Sequence, residues 1–119
     1  MEVPKIYESE YRFCLILWEN EPINSTQLTA ICKEKLGWSK ATTYTVIRRL
    51  AERGVLKNEN AIVSSLLTKE QVQLSEMTQL MEKTFEGSVP AFIAAFGNSR
   101  KLSQDEVRQL EALIESYKE

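Results

Sequence analysis

The sequence contains no histidine. Without an imidazole, serine or cysteine nucleophile–histidine pairs, histidine-ligated metal sites and most general-base chemistry near neutral pH are excluded. Cysteine is nearly as scarce. Cys14 and Cys32 stand 18 residues apart, each inside an apolar helical pattern, without the close second thiol of a zinc or cluster site. Both read as reduced, buried, small hydrophobes of a cytoplasmic protein. No apolar run approaches the roughly 20 residues of a membrane span, so direct membrane insertion is not expected. Met1-Glu2-Val3-Pro4-Lys5 also lacks the charged-then-apolar layout of a secretion signal. The expectation is a protein without catalysis, metal or other cofactor.

What remains is an ordinary globular balance, with 43% hydrophobic and 27% charged residues in 119, the size of one domain or two very small ones. The net charge of −2 conceals a polarised distribution. Lys33, Lys35, Lys40, Arg48, Arg49, Arg53 and Lys57, against Glu34 and Glu52, give residues 33–57 a charge of +5, while the flanking stretches are −3 and −4. Such a block is either a solvated helix surface or a local phosphate-binding face.

The order of elements bears on that choice. Tyr11, Phe13, Cys14, Ile16, Leu17 and Trp18 make a first helix too apolar to be a lone amphipathic one, and Pro22 lies just beyond its end. Asn24 or Ser25 caps a second helix, with Leu28, Ile31, Cys32 and Leu36, that Gly37 closes. Ser39 caps a third, running to about Arg53 with Gly54 as its stop. Val55-Leu56-Lys57 and Ala61-Ile62-Val63-Ser64 then read as short strands around the turn Asn58-Glu59-Asn60. Three helices followed by a hairpin is the order of a winged helix-turn-helix. The fold class expected is therefore mainly α with a small β-hairpin: a winged helix-turn-helix domain over residues 1–67, then a helical region over 68–119.

That second region opens with the capping box Thr68-Lys69-Glu70-Gln71, and Ser103-Gln104-Asp105-Glu106 is another. Gly87-Ser88 breaks the chain, Pro90 opens a short helix, and Gly97-Asn98-Ser99 is expected to break it again. Three such helices cannot enclose a core of their own. Yet Phe85, Val89, Phe92, Ile93, Phe96, Leu110, Ile114 and Tyr117 need covering. Either the N-terminal domain or the same segment of a second chain covers them, and the narrow stripes favour the second chain.

With Ile47 at the centre of the buried face of helix three, steps of about 100° bring Thr43, Leu50 and Ala51 beside it. Thr42, Thr45, Arg49 and Glu52 fall opposite, with Ala41 and Arg48 on the flank. Small hydroxyls and methyls beside arginines suit a DNA major groove, where threonine meets base edges and arginine reads guanine or grips phosphate. Ser39 and the first-turn amides can hold a phosphate at the helix N-terminus. Lys40, Arg48, Arg53 and Lys57 supply sequence-independent attraction.

The segment from Trp38 to Gly54 resembles the recognition helix of the BlaI/MecI family, the penicillinase and methicillin-resistance repressors. The family pattern falls on Trp38, Ser39, Thr42, Thr45, Arg49, Leu50, Arg53 and Gly54. Leu17-Trp18 and the stretch Leu102-Ser103-Gln104-Asp105-Glu106-Val107, with Leu110, are similar to the end of the family's first helix and to its last helix. The resemblance implies a homodimeric repressor whose winged helices enter the major groove at a TACA/TGTA-type inverted repeat, with interlocked C-terminal helices. It implies DNA contacts at Thr42, Thr45 and Arg49, with Ala41, Tyr44 and Arg48 beside them, although the helical wheel puts Tyr44 nearer the buried side. In antibiotic-responsive members a membrane-bound sensor metalloprotease triggers cleavage before a phenylalanine. Here that bond aligns with Ala95–Phe96, where cleaved members carry asparagine in place of Ala95.

Two departures accompany the resemblance. The wing has Asn58-Glu59 and then Val63 where the family has Gly-Arg and a tyrosine, so its phosphate grip is expected to be weaker or to be made by Lys57 instead. The tail through Glu119 lacks the cysteines of the copper-responsive branch. The alternative function is a winged-helix protein-interaction module that has lost specific DNA binding, for which Glu59 and the net negative charge speak.

Overall fold

Helix α1 (Glu8–Asn20) lays Phe13, Cys14 and Leu17 along one buried face, with Ile16 beside them. In the computed structural model, which describes residues 2–119, the chain forms two units, one ending at Glu76 and the other spanning Met77–Glu119. After α1 the first unit contains β1 (Ile23–Asn24), α2 (Ser25–Leu36), α3 (Lys40–Glu52), β2 (Leu56–Glu59), β3 (Ile62–Ser65) and the start of α4 (Lys69–Phe85). The fold is mostly helical with a small antiparallel sheet.

The core joins α1 to Leu28 and Cys32 of α2, Ile47 and Leu50 of α3, Val55, Leu56 and Val63 of the hairpin, and Val72 of α4. Trp38, in the turn before α3, stacks on Phe13 with ring centroids 6.1 Å apart. Both cysteines are buried and unbridged, and burial pushes their thiols up, to about 12 for Cys14 and about 11 for Cys32. They act as small core hydrophobes.

The sheet differs from expectation in two ways. A third strand is present: Ile23 and Asn24 pair with Val63 and Ile62, giving the order β1-β3-β2. Two residues are too few to show alternation. The turn is also shorter, because Asn58 and Glu59 belong to β2 and only Asn60 and Ala61 reverse the chain, with φ of 53° and 64°. Two left-handed residues match the strand twist of a two-residue hairpin. The Ala61 carbonyl accepts the Ser25 amide at 2.8 Å, tying the hairpin tip to the start of α2.

A buried ion pair holds the far end of α3. Glu10 is in phase with Phe13, Cys14 and Leu17 and is only 6% exposed. Arg53 donates Nη1 to its Oε1 at 3.0 Å and Nη2 to its Oε2, and the Tyr7 amide donates to the same carboxylate at 2.9 Å. Arg53 Nη1 also reaches the Lys5 carbonyl at 2.7 Å. Arg53, expected from charge to attract phosphate, is instead committed within the fold. Burial raises the Glu10 pKa, but the hydrogen bond from Arg53, the Tyr7 amide and the Arg53 charge together hold it below the usual carboxylate value.

In the second unit, Glu86 and Gly87, with φ of 51° and 79°, turn the chain after α4. Helix α5 (Val89–Ser99) is capped by Ser88, whose Oγ accepts the Ala91 amide, and has Pro90 in its first turn. Gly97 and Asn98 lie inside α5 rather than breaking it. The helix ends only at the extended Arg100, whose amide donates to the Phe96 carbonyl. Helix α6 (Gln104–Ser116) starts at a complete Ser103–Glu106 capping box. Neither α5 nor α6 contains a buried residue.

A carboxylate held below its ordinary pKa stabilises the fold fully above the unfolded value, near 4.5, and that contribution is lost as pH falls through the folded value. Glu10→Gln should therefore cost about 1–3 kcal/mol at neutral pH. It should also flatten the loss of stability below about pH 4.5, read by urea melts across pH.

Candidate nucleic-acid interface

The outward face of α3 is fixed by what its inward face must bury. Thr43 is fully buried and donates its hydroxyl to the Ser39 carbonyl at 3.3 Å, and Val46, Ile47 and Leu50 complete the inward stripe. Val46 was missing from the stripe expected from the sequence. Ala41, Thr42, Arg48 and Arg49 are exposed and Thr45 is half-buried.

Ser39 organises the start of the helix. Its Oγ accepts the Thr42 amide at 3.1 Å and donates to Thr42 Oγ1 at 2.9 Å. The Ser39 hydroxyl is thus used twice internally, and Thr42 keeps its own hydroxyl proton for an external acceptor. The first amides of the helix point the same way, with the positive end of the helix dipole behind them.

Tyr44 turns back into the domain. Its hydroxyl lies 3.3 Å from Ser25 Oγ on α2, and the Lys40 ammonium sits 5.9 Å from its ring centroid. Hydrogen bonds with Ser25 and then Thr26 lower its pKa, against a small opposing effect of burial. The half-buried ring therefore braces α2 against α3. Because Ser25 also donates its amide to Ala61, this one residue links both helices and the hairpin tip.

Cationic side chains surround this face unevenly. Arg48 and Arg49 are exposed and have no close ion pair among the described residues, whereas Lys57 lies 3.8 Å from Glu59, two residues along β2. Ser39, Lys40, Ala41, Thr42, Thr45, Arg48 and Arg49 are brought together on one helix, and Lys57 stands apart on the hairpin. The Glu10–Arg53 pair was missed in the sequence. Its signal was available, since Glu10 keeps helical register with three buried apolar residues.

The eight apolar residues of the second unit expected to need covering fall into two classes. Phe85, Phe92 and Leu110 are half-buried, with Phe85 and Phe92 edge to face at 5.5 Å. Val89, Ile93, Phe96, Ile114 and Tyr117 are exposed, up to 78% for Tyr117. The Ala95–Phe96 bond lies within α5. The Phe96 carbonyl accepts from Ser99 Oγ and the Arg100 amide, and the Arg100 guanidinium covers the Phe96 ring at 5.1 Å. Among the described residues no group of three acidic, cysteine or histidine side chains is arranged to hold a metal ion, and no helix is long and apolar enough to cross a membrane.

The profile of the family described as Penicillinase repressor matches residues 6–116. The methicillin resistance regulatory protein MecI of Staphylococcus aureus is 24% identical over 114 residues, covering 92% of this chain and 93% of that protein. The penicillinase repressor of Bacillus licheniformis is 18% identical over 122 residues, covering 98% and 94%. An uncharacterised 16.5 kDa protein of Latilactobacillus sakei is 27% identical over 114 residues, covering 92% and 78%. Among solved structures, the monomeric form of Bacillus licheniformis BlaI in complex with the blaP half-operator has a similar fold, with a TM-score of 0.52 and 20% identity over 59% of this chain and 90% of that one.

Replacing the cap by Ser39→Ala removes the acceptor of the Thr42 amide and should destabilise the fold by about 1 kcal/mol in chemical denaturation. An unchanged midpoint would mean that solvent or Thr42 itself caps α3.

Proposed function

The chain belongs to the penicillinase repressor family, and on that premise we propose that it is a DNA-binding transcriptional repressor acting as a homodimer on a TACA/TGTA-type inverted repeat. The observation that carries the DNA reading is the exposed face of α3, where Thr42, Thr45 and Arg49 stand beside Arg48 and Lys40, opposite a fully packed core stripe. Threonine hydroxyls and an exposed guanidinium on a helix of 13 residues suit base edges or nearby phosphates in a major groove. The neighbouring cations supply the salt-dependent, sequence-independent part of the affinity. Tyr44 contributes indirectly by holding α2 against α3.

The second half of the reading rests on burial. Helices α5 and α6 present apolar side chains of which none is fully buried, as half of an obligate interface does. A second copy of the chain supplies the missing half, and pairing two winged helices multiplies half-site affinity through effective concentration. Cleavage at Ala95–Phe96 in response to a sensor metalloprotease requires α5 to open first, because that bond lies within the helix.

A protein-interaction module is the second reading, favoured by the Lys57–Glu59 pair, which cancels the charge of the wing.

Arg49→Ala should weaken binding to the inverted repeat by about five- to 150-fold, the roughly 1–3 kcal/mol of one good charged contact, at unchanged thermal stability. Unchanged affinity would mean that another face meets the DNA. Ile93→Asp or Phe96→Asp should give monomers or unfolded protein in sedimentation equilibrium, and an intact dimer in either variant would sink the helical interface.

A further inference from the structure

Beside the end of α3 lies an open concavity of about 400 Å³, lined by Lys5, Tyr7, Glu10, Arg49, Glu52 and Arg53. It brings the segment before α1 next to Arg49, and of the two partners open to that guanidinium, a base edge or a nearby phosphate, the concavity favours the phosphate. We propose that Lys5 and Arg49 together grip a phosphate of duplex DNA here, so that the interface continues past the helix-turn-helix onto the N-terminal arm. This inference rests on the DNA-binding reading and extends it to a residue outside the helix-turn-helix.

The arm is held in place. Arg53 donates to the Lys5 carbonyl at 2.7 Å, and its guanidinium sits 5.7 Å from the Tyr7 ring centroid. The Lys5 ammonium lies over the same ring at 4.7 Å. Lys5 therefore has a defined position rather than the wide sampling of a chain end, and binding a phosphate costs it less side-chain entropy.

The charges also sort in favour of an anion. Glu10 is the nearest buried carboxylate, but Arg53 occupies both of its oxygens. Among the described residues, neither the Lys5 ammonium nor the Arg49 guanidinium forms a hydrogen bond or a close ion pair, although the Arg49 charge helps to lower the Glu10 pKa from a distance. Glu8, the other acid in the first turn of α1, is paired with Arg12 at 3.3 Å. Two cations without a close ion pair then face the exposed carboxylate of Glu52, which likewise has no close ion pair among the described residues. A phosphate oxygen between Lys5 and Arg49 meets both cations. Phosphate contacts of this kind position a protein on the duplex without reading sequence.

The test is Lys5→Gln in the full-length protein, titrated by fluorescence anisotropy on the inverted repeat and on a scrambled duplex between 50 and 200 mM salt. The Lys5 ammonium lies over the Tyr7 ring and the carbonyl that Arg53 uses is kept, so the variant should melt within a few degrees of the wild type. Affinity should fall by the same factor on both duplexes, and the slope of log K against log salt should become shallower by about one per protomer. The deficit at 50 mM should exceed that at 200 mM by about threefold for each phosphate that is no longer neutralised. Lys5→Arg should restore both affinity and slope. Wild-type binding with an unchanged Lys5→Gln curve would overturn the arm's phosphate grip alone. A loss confined to the inverted repeat would replace phosphate contact by base reading. Absence of wild-type binding to either duplex would overturn the DNA reading together with it.

Discussion

The burial of one stripe of α3 is the constraint on which the rest of the structure depends. Thr43, Ile47 and Leu50 are almost fully enclosed, so the rotation of the helix about its axis is set by the core. Once that rotation is set, Thr42, Thr45 and Arg49 have nowhere to point but outward. The two ends are pinned by different chemistry: the Ser39 cap at one and the Glu10–Arg53 ion pair at the other. Tyr44 and Ser25 fix the helix against α2, and the Ala61 carbonyl fixes the hairpin against both. An outward face held at so many points is preorganised, so little ordering is left for binding to bring about.

The two units use apolar surface in opposite ways. The first closes a core around Phe13, Leu28 and Leu50. In the second, aromatic contacts such as Phe85–Phe92 and Phe92–Phe96 organise the helices, yet side chains such as Val89 and Ile114 stay in solvent. The conformational entropy of ordering a helix is offset mainly by burial of its apolar face. For α5 and α6 that burial is missing within one chain, which is why the reading of the second unit turns on a partner copy.

Much of this was legible in the sequence, because the signals were local or periodic. Ser39, Gly37 and the Thr68 and Ser103 capping boxes announced helix ends through backbone hydrogen bonding that a few residues decide. The period of helix three put Thr43 and Leu50 inward and Arg49 outward. Interactions between distant residues were not legible. β1 is two residues long and exists only because β3 lies beside it, and Arg53 looked like one more surface cation because Glu10 is 43 residues away. Gly97 read as a break because glycine permits one, but its neighbours continue the helix to Ser99. The turn was misplaced for a related reason: Ala61 accepts a left-handed φ that its side chain disfavours.

The most direct measurement is fluorescence anisotropy of the full chain on an intact TACA/TGTA inverted repeat, on a single half-site and on a scrambled duplex, each at two salt concentrations. The account predicts binding that steepens as salt falls on all three, with the intact repeat preferred over the half-site by far more than a factor of two, because two linked winged helices engage it together. Equal, weak and salt-insensitive binding to all three duplexes would contradict it, and would leave the outward face of α3 as a surface for a protein partner.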